Sequence, residues 1–226
     1  MAARRTVDDV SAMTAGVQRR SPYAMIKNAI LTGELMPGQQ LVESTLARWC
    51  DMSRTPIREA LTRLEQDGLV IRNERGLIVR ERNPEEILDI YETRVVLEAT
   101  AARVASERRS KIDVINLKRV ADRLERLETD DENLMAEGNR EFHQAVWRAS
   151  HNEPLIDLLS RLDLHLTRYP ATTLSQPGRW TEANGEHRRL IDAIEGRDAA
   201  RAGEVATAHF TKARDLRLAL WAESQG

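Results

Sequence analysis

Three of the five histidines fall in stretches that read as helix, and together they invite one kind of chemistry. His143 closes the run Asn139-Arg140-Glu141-Phe142-His143, in which Asn139 and His143 share a helix face at a spacing of four. His187 follows Glu186 in GEHRRLIDAI, and His209 sits in ATAHF. Imidazoles converging at the centre of a helical bundle suit zinc or nickel. Each histidine alone also fits an ordinary core or surface role. The set could equally be a hydrogen-bonded polar cluster that holds an anion directly. His151 and His165 match neither pattern and read as structural.

A second group is built on arginine. Arg54 and Arg58 lie at the start of SRTPIREALTRLEQDGLV, residues 53 to 70. A guanidinium near a helix N-terminus can bond a guanine edge bidentately, while the backbone amides there hold a phosphate. Arg94 falls on the mostly apolar stripe Ile87, Ile90, Tyr91, Arg94, Glu98, Ala101. A buried arginine needs a partner. It can pair internally with Glu98 at i, i+4, or fork a ligand carboxylate. Trp180 opens a later helix and can close a pocket or simply pack in the core.

The elements that position these groups fall into two sets. In the first, residues 23–31 (YAMIKNAIL) form a helix ended by Pro37-Gly38, and residues 44–49 (STLARW) form a second. A third starts at Ser53, or at Thr55 with Pro56 in the first helical place, and carries the apolar stripe Ile57, Ala60, Leu61, Leu64. Leu69-Val70-Ile71 and Leu77-Ile78-Val79 then flank Asn73-Glu74-Arg75-Gly76, which reads as a hairpin turn. Three short helices and a hairpin make a winged helix-turn-helix over residues 21–82. From Asn83-Pro84 to the end no strand pattern occurs. Turn signals cut residues 83–226 into six helices, near 84–109, 111–128, 130–150, 153–169, 180–195 and 198–223. The fold class is therefore mainly α, a winged helix-turn-helix followed by an antiparallel all-α bundle.

Composition agrees with this reading and narrows it. Residues 1–82 carry 13 Lys/Arg against 10 Asp/Glu, whereas the remainder carries 21 against 26. A basic first part and an acidic second part suit a nucleic-acid reader with an attached domain of another kind. Cys50 is the only cysteine, which excludes an intramolecular disulfide and agrees with a reducing cytoplasm. No stretch is apolar enough to span a bilayer, and residues 1–20 lack the apolar core of a secretory signal and read as a disordered tail.

The runs YAMIKNAILTGELMPGQQLVESTLARW and SRTPIREALTRLEQDGLVIRNERG resemble the DNA-binding domain of GntR-family transcriptional regulators over residues 23–80. The bundle that follows resembles the ligand-sensing FCD domain of the FadR-type branch, in its six-helix, VanR-like form. By that resemblance Arg54 and Arg58 contact bases or phosphates, and Ser44, Ser53 and Thr55 belong to the same DNA-contacting set. Arg75 and Gly76 sit at the wing tip. Cys50-Asp51 stands where the family usually has a glycine before the third helix.

The resemblance also implies a divalent metal, zinc or nickel, held by Asn139, His143, His187 and His209, with Asn139 where many members carry Asp. Arg94, Tyr91 and Trp180 would contact a small organic acid. The implied protein is a cytoplasmic homodimer that reads a palindromic operator and responds to the acid, most often as a repressor. A DNA-binding dimer without an effector and a metal-dependent hydrolase are the alternatives. Glu141 and Glu186, the acids adjacent in sequence to the histidine stretches, are expected to point to other helix faces, leaving the imidazole-lined hollow without a general base.

Overall fold

The structure, a computed structural model, describes residues 21–81, 83–166 and 172–223. The tail expected over residues 1–20 lies outside them. The chain divides into two compact units, residues 1–82 and 83–226.

In the first unit the described elements are α1 (Pro22–Thr32), α2 (Glu43–Trp49), α3 (Arg54–Gln66), β1 (Val70–Asn73) and β2 (Gly76–Val79). α1 stops at Gly33, whose φ of 80° only glycine adopts freely. Its buried side carries Ile26, Ala29 and Ile30. Tyr23, half-buried, donates its hydroxyl to Asp67 Oδ2 at 2.5 Å, and the Arg63 guanidinium lies 4.2 Å from its ring. Burial and the neighbouring carboxylate push that phenol up to about 12. The stripe on α3 is buried as its spacing predicts, with Ile57, Ala60, Leu61 and Leu64 all at or below 4% exposure. Each such side chain contributes roughly 1.5–3 kcal/mol of burial when its size is that of Leu or Ile.

Of the two starts open to α3, the chain uses the first. Ser53 is the extended N-cap residue and Arg54 the first helical one, so Pro56 falls in the third place. Proline is tolerated there because the N–H groups of the first turn have no intrahelical partner. The Ser53 side chain makes no capping bond. The turn between α2 and α3 keeps a left-handed residue without glycine, because Asp51 takes φ 54°. Left-handed backbone costs an L-residue roughly 1–2 kcal/mol, with Asp among the better tolerated. Asp51→Gly is therefore expected to stabilise the first unit by about 1 kcal/mol, measured as a shift in urea midpoint. A lower midpoint would show that the Asp51 side chain supports the turn instead.

The strands pair antiparallel from Val70↔Val79 to Asn73↔Gly76, leaving Glu74-Arg75 as a two-residue loop. Asn73 Oδ1 accepts the Arg75 N–H at 2.9 Å, and Gly76 supplies a φ of 107°. Gln40 steadies this wing from outside the hairpin. It bridges Ile78, and its amide donates to the Arg75 carbonyl at 2.5 Å.

The described part of the second unit contains six α-helices: α4 (Pro84–Arg108), α5 (Lys111–Glu125), α6 (Glu132–Ala149), α7 (Glu153–Leu166), α8 (Arg179–Glu195) and α9 (Ala199–Glu223). A 3₁₀ turn, Thr173–Ser175, precedes α8. Their starts follow local chemistry. Asn83 caps α4 by accepting the Glu85 N–H, with Pro84 in the first turn. Ser110 and Asp113 form a reciprocal capping box on α5, and Asp131 caps α6. Ala102, Ala105, Ala202 and Ala206 belong to one buried cluster with Leu117, Phe142, Val146 and Ile191. Small residues on α4 and α9 let these long helices lie close together. The bundle's core thereby draws on α4, α5, α6, α8 and α9, and the three histidines enter it from α6, α8 and α9.

Candidate functional site

His143 comes from α6, His187 from α8 and His209 from α9, and their exposures are 1%, 1% and 5%. Ring centroids are 5.2 Å apart for His143–His187, 5.0 Å for His143–His209 and 5.2 Å for His187–His209. One ligating nitrogen from each ring lies within 4.8 Å of the others. Both ring nitrogens of His143 and of His187 are buried without a hydrogen-bond partner. Burial, then the positive charge of neighbouring groups, holds both imidazoles well below their usual basicity and so keeps them neutral. Neutral rings with unused lone pairs are the form in which histidine binds a metal. A buried polar nitrogen with no partner is otherwise costly, roughly 1–3 kcal/mol each. These orphaned nitrogens fit a metal, and the donor type suits zinc or nickel.

The third histidine is oriented by a carboxylate. His209 Nδ1 lies 2.5 Å from Glu186 Oε2, so it donates there and leaves Nε2 with the lone pair. Arg179 donates to the same oxygen at 2.8 Å. Burial alone would raise the Glu186 carboxyl, but the bonds from His209 and Arg179 outweigh it and hold it at about 2. This corrects the expectation that Glu186 faces away. Adjacency to His187 does turn it to another side of α8, but α9 lies on that side and brings His209 to it. Arg179 and Glu186, seven residues apart, share a helix face, and that spacing was the available signal. Glu141 is half-buried and pairs with Arg123.

Two buried amide oxygens sit on the helices that carry His143 and His187, at spacings of four and three residues from them. Asn139 Oδ1, one turn before His143, is buried and unpartnered. So is Oδ1 of Asn184, three residues before His187 on α8 and 7% exposed. Asn184 escaped notice in the sequence because an amide in a helix interior has no pattern of its own. Phe142 stacks on His187 at 4.0 Å between centroids, and Phe210 lies 4.7 Å from His143. Two aromatic rings thus pack directly against the imidazoles.

Arg94 lies on the far side of Phe210, its guanidinium carbon 4.7 Å from that ring. Its Nε donates to Glu98 Oε1 at 3.0 Å, and Trp147 donates to Glu98 Oε2 at 2.7 Å. Burial pushes the Glu98 carboxyl up, against the pull of Arg94 and the indole N–H. Of the two pairings open to Arg94, the internal one is made. Tyr91 is buried one turn earlier on α4. Trp180 is half-buried, packed between two apolar clusters that include Leu190 and Leu174. His151 binds Asp113 at 2.8 Å, and His165 lies on α7.

The second candidate surface belongs to the first unit. Ser44, Arg48, Asp51, Ser53 and Arg54 line a shallow concavity of about 690 Å³ at the start of α3. Arg54, Thr55 and Arg75 are exposed, and Gly76 is half-buried. Arg58 is exposed too, but paired bidentately with Glu43, at 3.0 Å from Nε and 2.9 Å from Nη2. With side chains 68% and 33% exposed, the pair is strongly screened by solvent. A phosphate can therefore compete for Arg58 at little expense.

An exposed helix with a braced wing, joined in one chain to a helical bundle with a buried histidine cluster, is the arrangement of a two-part DNA-binding regulator. Residues 19–79 match the bacterial regulatory proteins of the gntR family and residues 89–212 match the FCD domain. The chain belongs to the GntR family of transcriptional regulators, in the branch that carries an FCD domain. It is 28% identical to the HTH-type transcriptional regulator LutR of Bacillus subtilis, over 85% of this chain and 95% of that protein. It is 27% identical to the HTH-type transcriptional repressor GlaR of Escherichia coli, over 83% and 90%. The fold is shared with Escherichia coli McbR/YncC at a TM-score of 0.67 and 20% identity, over 88% of this chain and 96% of that one. No described helix is long and apolar enough to cross a membrane.

Proposed function

We propose that this regulator binds a divalent metal at His143, His187 and His209, with Asn139 beside them, and senses a small organic acid there. The single observation carrying the reading is a set of buried, neutral imidazoles whose nitrogens on His143 and His187 have no other partner. A bound dication would supply a positive point to which a carboxylate oxygen attaches. Arg94 lies over the Phe210 ring, which packs on His143 and His209, and with Tyr91 and Trp180 it is assigned to the contacts of the acid. Occupancy acts by binding the DNA-competent and DNA-incompetent states with different affinity. Ser44, Ser53, Arg54, Thr55, Arg58, Arg75 and Gly76 form the DNA-facing set, with α3 in the major groove of a palindromic operator read by a homodimer. Repression is the mode favoured by the repressor named among its relatives.

Catalysis is disfavoured by the position of Glu186. It is the carboxylate bonded to the histidine centre, and it is already held by Arg179 and His209. Elemental analysis of protein purified without chelators checks the metal reading. About one zinc or nickel per chain is expected, lost in His143→Ala/His187→Ala. A chain that holds no metal after reconstitution with either ion would contradict it.

A further inference from the structure

Glu43 opens α2 and Arg58 lies one turn into α3, and the bond between them has the form of an arginine on a phosphate. Nε donates to Glu43 Oε1 and Nη2 to Oε2, two parallel bonds to one planar anion. Glu43 also stands in the field of two further guanidinium groups. The bond from Arg58, and then the charges of Arg58, Arg54 and Arg72, hold its carboxyl below the usual carboxylate range, so it is ionised at neutral pH. Arg72 is itself shared with Glu65, 3.5 Å away. The face that carries the reading arginines therefore has an anion set among them.

On a DNA-binding surface such an anion is unfavourable. Every duplex presents phosphates, and a carboxylate repels them while occupying an arginine that would bind them. That penalty applies to all sequences alike. It is offset only where a donor takes up the carboxylate when Arg58 leaves it. A phosphate cannot do this, because it accepts from Arg58 and leaves Glu43 unmatched. A C·G pair can do it in the major groove. There guanine offers the O6 and N7 acceptors that suit the arginine, and cytosine offers the N4 amino donor that suits a carboxylate.

Resting on the reading that α3 enters the major groove, we propose that Glu43 is a specificity-determining residue. It withholds Arg58 from phosphates on unmatched DNA. On matched DNA the two side chains exchange each other for a C·G pair, with the carboxylate accepting from the cytosine amino group. An internal mimic of a phosphate thus suppresses non-specific binding and adds one base pair of readout.

The test is fluorescence anisotropy of the full chain, over a range of salt, on a duplex it enriches from a random pool and on a scrambled one. Glu43→Ala releases Arg58 to a phosphate. It is expected to bind the scrambled duplex about tenfold more tightly than wild type at low salt, with a salt slope steeper by about one, the change for one added phosphate contact. On the enriched duplex the lost cytosine contact offsets this gain, so the ratio of the two affinities falls about tenfold, the usual discrimination at one base pair. Glu43→Gln, which keeps the size and loses the charge, should show the same gain on the scrambled duplex. Substituting the enriched duplex pair by pair should reveal a C·G position that wild type prefers and Glu43→Ala does not. In an Arg58→Ala background, adding Glu43→Ala should leave the slope unchanged.

A Glu43→Ala variant with wild-type affinity and slope on the scrambled duplex would overturn the proposal. So would weaker binding to the enriched duplex with no gain on the scrambled one, which would make Glu43 a brace for Arg58. A slope that steepens equally without Arg58 would trace the effect to the charge of Glu43 alone and overturn the exchange. A wild-type chain that enriches no duplex, or an enriched duplex indifferent to both Arg54→Ala and Arg58→Ala, would remove the DNA-facing reading and this inference together. Thermal unfolding matched between wild type and both Glu43 variants separates altered reading from a damaged fold.

Discussion

Glu98→Ala is expected to destabilise the helical unit by about 3–5 kcal/mol, the usual loss when one partner of a buried ion pair is removed. Glu98 is 2% exposed and Arg94 8%, so neither has water to fall back on. Removing the carboxylate strands the Arg94 guanidinium between α4 and the Phe210 ring and leaves the Trp147 indole N–H, 1% exposed, without an acceptor. Glu98→Gln keeps an acceptor for Trp147 and the side-chain volume but loses the charge. It should fall between wild type and Glu98→Ala. Chemical denaturation followed by tryptophan fluorescence measures both. Glu98→Ala within 1 kcal/mol of wild type would mean that Arg94 finds another anion or that water enters the core.

Arg54→Ala is expected to weaken binding to a selected duplex by about 1–3 kcal/mol and to relax sequence preference, if its guanidinium reads a base edge. Arg54 starts α3 and is exposed, whereas Arg58 one turn later must first leave Glu43. The prediction separates them. Loss of Arg54 removes a contact available without rearrangement, and loss of Arg58 also frees Glu43, whose negative charge then faces the DNA. Fluorescence anisotropy at matched salt, on the preferred duplex and on a scrambled one, measures the effect. Equal weakening on both would assign Arg54 to phosphate alone, and unchanged binding would remove it from the interface.

Much of this architecture was legible because it depends on periodicity and punctuation. Ile57, Ala60, Leu61 and Leu64 define a buried stripe at 3.6 residues per turn, and Asn83-Pro84 announces a helix start through a local hydrogen bond. The histidine triplet was legible in part, since a histidine on each of three inward-facing helices can converge. What escaped depends on distances across helices. Glu186 looks turned away when α8 is read alone, and becomes the orienting partner of His209 only when α9 packs against it. Arg94 had two possible partners, and the buried acceptor on its own helix took it, because Trp147 from α6 holds Glu98 in place. The rings of Phe142 and Phe210 against the imidazoles also escaped, since packing inside a bundle is decided by all its helices together. Asp51 kept a left-handed turn where the family resemblance leads one to expect glycine.

The most direct measurement of the central claim, that occupancy of the histidine centre sets DNA affinity, is anisotropy of a duplex enriched from a random pool by this protein. Zinc and lactate are added together to wild type and to His143→Ala/His187→Ala. The wild-type dissociation constant should shift by about fivefold or more, the lower range of measured couplings, while the double variant binds the duplex and does not respond. A wild-type affinity unmoved by zinc and lactate with both shown to be bound, or a variant that responds equally, would contradict the account.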